Sequence, residues 1–299
     1  MRLSEYCDFP FDLDHVDIEF DIHPATTKVD AQLRFKAKQQ SPPAALELNS
    51  SSGLRIVALF LDGRPLEREK EYTISTNPQG SGDIVRIGCV PSNDFFMLGA
   101  QTELLPLSNT SGEGLYSSNG ALVTQCEAQG FRRIIPFPDR PDVLAGKYTC
   151  RIEADKAVFP VLLSNGNLME TGDSGGGRHW ARWEDPFPKP CYLFAVVAGN
   201  LALTEDRFKT KSGRDVALRI WTEWHNASKT AWAMRCLQRA FQWDEERWGL
   251  EYDLDLFNIV VIDRFNLVAM ENKSLNVFES RVVLATPHTA TDDDYLHIM

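Results

Sequence analysis

The sequence predicts a mainly β protein. An N-terminal antiparallel β-sandwich or saddle domain covers residues 1–203, and the β-rich start of a second domain covers 204–299. Three observations carry this reading. The chain opens with two runs of period-two apolar alternation. Short apolar runs separated by loops rich in Gly, Pro, Asn and Ser follow. Composition then shifts: all seven Trp lie from residue 180 onward, and the clearest helical periodicity falls after residue 228.

The elements follow in order. Val16, Ile18, Phe20 and Ile22 alternate with Asp17, Glu19, Asp21 and His23, which gives a half-buried strand. After a turn at Pro24-Ala25-Thr26-Thr27-Lys28, Val29, Ala31, Leu33, Phe35 and Ala37 alternate with mainly basic residues. Acidic and basic outer faces favour an antiparallel hairpin, at ~0.2–1 kcal/mol per facing pair. Ser41-Pro42-Pro43 breaks the run. Residues 54–61, closed by Asp62-Gly63, and residues 84–90 read as further strands. Residues 191–198 are apolar on both faces and read as a buried strand. Residues 229–247 carry Met234, Leu237 and Phe241 at helical spacing, with Asn226 or Ser228 to cap the start and Gly249 to close the end. Residues 257–262 and 275–284 read as two more strands, and a boundary falls near 199–204.

Composition excludes several functions. With 31 Lys+Arg against 42 Asp+Glu, the net charge is −11, which argues against nucleic acid or an anionic membrane as partner. No apolar run approaches the ~20 residues of a membrane span. The first eight residues contain no apolar signal core, so a cytoplasmic location is expected. The six cysteines (Cys7, Cys89, Cys126, Cys150, Cys191, Cys236) form no C-x-x-C pair and read as reduced thiols. The sequons at Asn49, Asn109, Asn226 and Asn272 then read as chance matches. No two histidines stand three or four apart and H-E-x-x-H is absent, so no local His/Cys zinc cluster is encoded.

Taken singly, the candidate site residues are bland. Glu271 in Met270-Glu271-Asn272 and Glu127 in Gln125-Cys126-Glu127 read as solvated loop acids. Trp180, Trp183 and Phe187 could line a sugar site, but more ordinarily pack a core. Asp292-Asp293-Asp294 could hold a cation, but suits a helix start.

Together the segments say more. Val268-Ala269-Met270-Glu271-Asn272 resembles the G-A-M-E-N motif of the aminopeptidase N family of zinc metallopeptidases. Thr124-Gln125-Cys126-Glu127-Ala128-Gln129-Gly130-Phe131-Arg132 resembles the family's substrate-amine segment. Asp139-Arg140-Pro141-Asp142-Val143-Leu144, Leu163-Ser164-Asn165-Gly166-Asn167, the stretch from Trp183 to Phe194, Trp243-Asp244-Glu245-Glu246-Arg247 and Thr289-Ala290-Thr291-Asp292 resemble other family stretches in the same order. The bacterial and plant alanyl-aminopeptidase branch is the nearest in pattern.

The resemblance implies a thermolysin-like α+β catalytic domain after the β-domain, and peptides with a free N-terminus as partners. It implies that Glu127 and Glu271 bind the α-ammonium together, across a cleft between the domains. It places the backbone of Ala269 and Met270 beside the substrate, Asn272 within the motif, and Gln125 and Leu267 near the first side-chain pocket. Val268 departs from the motif's Gly, and a β-branched residue there would crowd the substrate and exclude positive φ. In the family the stretch resembling residues 289–298 leads into the H-E-x-x-H helix, which supplies zinc ligands and the general base. None of those positions lies in these 299 residues. The expectation is therefore no catalytic residue and no zinc in this chain, read as an N-terminal portion of a longer enzyme. A non-catalytic short form that binds peptides or a partner is the alternative.

Overall fold

Phe11–Ile22 and Thr27–Ala37 form the expected antiparallel hairpin, with inward residues such as Val16, Phe20, Leu33 and Phe35 fully buried. The computed structural model describes residues 6–38, 45–78, 80–88, 90–91 and 95–298. Residues 1–5, the break at Ser41-Pro42-Pro43, Cys89 and Met299 lie outside the described residues.

The hairpin sits inside a nine-stranded sheet, flanked by Leu144–Asp155 on one side and Phe95–Leu104 on the other. Its pairs are antiparallel except that Phe11–Ile22 runs parallel to Leu144–Asp155. The facing charges are only partly as read from the sequence. Asp12 faces Lys36 and Asp21 faces Lys28, but Glu19 faces Asp30. Arg151, on the parallel neighbour, takes Glu19 instead, so a third strand relieves the like-charge pair.

A three-stranded sheet joins Leu46–Ser50, Asp83–Ile87 and Tyr72–Thr76. A four-stranded sheet orders Val161–Ser164, Val196–Gly199, Ala121–Gln125 and Gly114–Ser118. A five-stranded sheet orders Ala202–Lys209, Asp215–Thr222, Leu256–Ile262, Leu275–Glu279 and Ala269–Met270. The architecture is thus mainly β, an N-terminal β domain followed by the start of a second domain built on the last sheet.

The Leu256–Ile262 strand explains how the two parts join. Val260 and Ile262 face the N-terminal core, whereas Ile259 and Val261 face the helix α1, Ala231–Trp248. A strand buried on both faces needs a continuous apolar run, which Ile259-Val260-Val261-Ile262 supplies. Met234, Leu237 and Phe241 form the buried stripe of α1 as the spacing predicts, and Gly249 closes it at φ 69°.

Four local expectations are corrected. Residues 191–198 are not one strand: Cys191–Leu193 is a 3₁₀ turn, and the strand is Val196–Gly199. Asn165 intervenes, accepting from Ala195 N at 2.8 Å and donating to Leu193 O at 2.9 Å, so a side chain takes backbone groups a ladder would use. The strand predicted over 84–90 is Asp83–Ile87. Neither Asn226 nor Ser228 caps α1, because a 3₁₀ segment, Trp224–Lys229, precedes it and Asn226 donates to Asp263. The strand predicted over 275–284 ends at Glu279, whose side chain accepts from Arg281 N and starts the 3₁₀ turn Ser280–Val282. Asp292-Asp293-Asp294 opens α2, Asp292–Ile298, where Thr291 and Asp294 cap each other reciprocally.

Candidate functional site

The two sequence segments that carry the candidate acids meet at the seam between the four- and five-stranded sheets. Ala121–Gln125 is buried throughout and ends in a turn that leaves Glu127 exposed. Ala269–Met270 is the outer strand of the five-stranded sheet, pairing with Val277 and Phe278. Met270 is fully buried, whereas Leu267, Val268, Ala269 and Glu271 are exposed.

Gln125 is the bridge. Its Nε2 donates to Met270 Sδ and to the Glu127 carbonyl, both at 3.3 Å. Gln125 Oε1 and Asn272 Nδ2 are buried without a hydrogen-bond partner, which leaves one free acceptor and one free donor at the seam. Among the described residues, neither the Glu127 nor the Glu271 carboxylate has a hydrogen bond or an ion pair. The structure thus brings Gln125 and Met270 together, buries Asn272, and leaves both acids open to solvent beside that contact.

Val268 keeps an ordinary backbone. It is not among the described non-glycine residues at positive φ, and its carbonyl accepts from Glu279 N at 3.0 Å. The backbone here is one a β-branched residue adopts freely, so the glycine of the motif is not needed for conformation. What the exposed isopropyl group retains is the power to crowd a ligand.

The seam is clamped by residues that sequence reading did not single out. Asn165 Nδ2 donates to Lys273 O at 2.7 Å, and Gly166 N to Ser274 Oγ at 2.5 Å. Gly166 stands at φ +87°, and a Cβ there would meet Glu184 O at 1.9 Å, so no other residue fits. Lys273 Nζ lies 4.6 Å from the Phe187 ring centre and 2.8 Å from Asp253. On the far side, Asn266 accepts from Tyr116 OH at 3.2 Å and donates to Gly112 O. Burial lifts the Tyr116 phenol to about 12, against the hydrogen bond to Asn266. The available signal was positional: Asn165 and Gly166 belong to a segment that matched the family pattern.

Other matched segments prove structural. Arg132 pairs with Asp139 at 2.9 Å, and Lys189 with Asp185 at 3.0 Å, all four deeply buried. Burial pulls the Lys189 amine down to about 8, against the opposing pull of Asp185. Trp183 is buried with Nε1 donating to Leu162 O, so it offers no face to a sugar. Trp180 carries the Arg151 guanidinium over its ring and Phe187 the Lys273 amine.

The chain matches the Peptidase M1 N-terminal domain over residues 96–193 and the Peptidase family M1 domain over residues 232–299. The chain belongs to the M1 peptidase family. It is 48% identical over 298 residues to aminopeptidase N of Caulobacter vibrioides, covering 100% of this chain and 33% of that protein. It is 46% identical over 288 residues to aminopeptidase N of Escherichia coli, covering 96% of this chain and 32% of that one. Among solved structures it resembles aminopeptidase A of Legionella pneumophila in complex with aspartic acid, with TM-score 0.90 and 32% identity over 100% of this chain and 34% of that chain. The chain spans about a third of the length of the curated relatives it matches. The two M1 matches fall on either side of the seam, and Gln125 and Met270 belong to one match each. No helix of the described residues is long and apolar enough to cross a membrane.

Proposed function

We propose that this chain is the amine-recognising part of a zinc-dependent aminopeptidase, an exopeptidase that removes residues from the free N-terminus of peptides in the cytoplasm. The two domains of this reading are 1–203 and 204–299. The observation that carries it is the pair of unpaired carboxylates, Glu127 and Glu271, on either flank of the Gln125–Met270 contact. An α-ammonium entering the seam supplies the positive charge that neither acid otherwise has. Among the described residues no strand lies beside the outer edge of Ala269–Met270, so the substrate backbone adds there in extended form. Gln125 and Leu267 then flank the first side chain, with Val268 limiting the room and Asn272 holding the turn. Among the described residues Cys126, Cys150, Cys191 and Cys236 are buried free thiols, which fits a reducing compartment.

In such an enzyme the chemistry supplied by bound zinc is that of a Lewis acid, which polarises the scissile carbonyl. The family's ligand motif, H-E-x-x-H, is not among these 299 residues. The residues at the seam do not fit that ion, and their role ends at holding the amine and the first residues of the peptide. A non-catalytic short form gains no support from any relative.

The test is titration of the 299-residue chain with trialanine and with N-acetyl-trialanine, followed by backbone amide chemical shifts. Saturable binding is expected for the free amine alone. Glu127→Gln and Glu271→Gln should each weaken it about tenfold or more, the cost of leaving one charged partner unpaired. Equal binding of the two peptides would sink the proposal.

A further inference from the structure

The seam is not the only place where acids gather at this junction. Asp215–Thr222 and Leu256–Ile262 run parallel as neighbours, with Thr222 opposite Val261. Glu223 follows the first strand directly and Asp263 the second, so both acids stand at the carboxyl ends of adjacent parallel strands. That is where open sheets of this kind present ligands. His225 lies between them, with Nε2 2.8 Å from Asp263 Oδ2 and Nδ1 3.7 Å from Glu223 Oε2. One donor atom from each residue lies within 4.8 Å of the other two.

Two observations separate this group from an ordinary surface cluster. The first is orientation. Asn226, itself 4% exposed, donates to Asp263 Oδ1 at 2.8 Å. Asn119, from the N-terminal domain, donates to Glu223 Oε1 at 3.2 Å. Each amide holds one carboxylate oxygen and leaves the other facing His225, as outer-shell groups do around metal ligands. The second is charge. Carboxylate oxygens of Glu223 and Asp263 lie within 4.8 Å of each other, with side chains only 15% and 26% exposed. Among the described residues no Lys or Arg pairs with either, and Lys229 donates to Asn226 Oδ1 instead. Only the exposed His225 ring, among the described residues, stands between these two carboxylates as a partner, and a bound cation would supply the charge they lack.

We propose that Glu223, His225 and Asp263 bind a divalent transition-metal ion of the zinc class. One imidazole nitrogen and two carboxylate oxygens suit a borderline ion better than Ca²⁺ or Mg²⁺, which take oxygen ligands. Ligand bonds of ~2.0–2.2 Å separate tetrahedral donors by roughly 3.3 Å, and the three donor atoms here, one from each residue, lie within 4.8 Å of one another, so an ion on a single imidazole nitrogen would draw them slightly closer. The ion neutralises the acids and ties together the ends of two strands, the start of the segment before α1 and, through Asn119, the N-terminal domain. This departs from the expectation of no bound metal, because Glu223-Trp224-His225 has no helical spacing and Asp263 lies 38 residues beyond His225.

The experiment strips the 299-residue chain with EDTA and titrates it with Zn²⁺ by calorimetry, with Mn²⁺ paramagnetic resonance as a second reading. Mg²⁺ and Ca²⁺ are the hard-ion controls. One Zn²⁺ per chain is expected, weakened at least tenfold by His225→Gln and by Asp263→Asn, and unchanged by His23→Gln. The His225 side chain is 59% exposed, so His225→Gln keeps the fold should Asp263→Asn lose it. Absence of saturable binding, binding that survives His225→Gln, or preference for Ca²⁺ over Zn²⁺ would each overturn the assignment. The first of these outcomes would leave His225 itself as the partner of both acids. None of these readings uses a peptide, so failure here is separate from failure of amine recognition.

Discussion

Residues 11–199 bury charge, whereas residues 202–298 keep theirs at the surface. In the first region Arg132–Asp139 and Lys189–Asp185 lie inside the core beside the aromatic group of Phe131, Phe137 and Phe194. In the second, every described ion pair is partly exposed, Trp224, Trp243 and Trp248 face solvent, and a cavity of about 740 Å³ opens between α1 and the outer sheet strands. The first region fixes its own geometry. The second takes much of its order from the first, through Asn165, Gly166 and the Val260–Ile262 face. A site at the seam therefore inherits its precision from the N-terminal domain, although half of its residues belong to the other.

The largest effect should come from breaking a buried pair. Lys189→Met leaves Asp185 charged, fully buried and without its cation, only the Phe187 N–H still donating to it, which costs about 3–5 kcal/mol. Asp185→Leu combined with Lys189→Met removes both charges and should restore most of that loss, since apolar replacement of a buried pair is often near neutral. Urea unfolding of the single and double variants reads the difference. A single variant within about 1 kcal/mol of the parent would show that the first region does not depend on its interior charges.

Next in size is the clamp itself. Asn165→Ala strands Ala195 N, Leu193 O and Lys273 O, at about 2–3 kcal/mol together. The informative reading is local. Amide exchange should quicken in residues 272–275 as well as in residues 193–196. Faster exchange confined to 193–196 would mean that the second region holds the motif loop unaided.

How much of this was legible follows from the range of each interaction. The hairpin, the α1 stripe and the doubly buried strand were readable because period and burial are local properties of Val16–Ile22, Met234–Phe241 and Ile259–Ile262. The 3₁₀ turn at Cys191–Leu193 was not, because its cause is Asn165, whose side chain reaches 28 and 30 residues along the chain. The two acids were findable through the pattern around them, whereas Asn266 and the Glu223, His225 and Asp263 group assemble from distant segments with no spacing to betray them. The misplaced helix cap has the same origin: Asn226 has the right chemistry for a cap and is recruited by Asp263, 37 residues away.

The smallest effect tests whether the first region's outer face also carries titrating charge. His15 Nε2 lies 3.1 Å from Thr149 Oγ1, and that hydroxyl donates to Asp17 at 2.5 Å. Burial holds the His15 pKa below its usual value, with Asp17 opposing and Lys147 assisting. The unfolded chain then binds the proton more readily than the folded one. The stabilisation is present above about pH 6.5 and is lost as pH falls through the lower folded value. His15→Gln should flatten this part of the stability profile while leaving the plateau above pH 7 little changed. The partial exposure of His15 keeps the amplitude well under that of either buried change. A profile that falls equally in both proteins between pH 6.5 and 5 would assign the acid sensitivity to other groups and leave the N-terminal domain's outer face electrostatically passive.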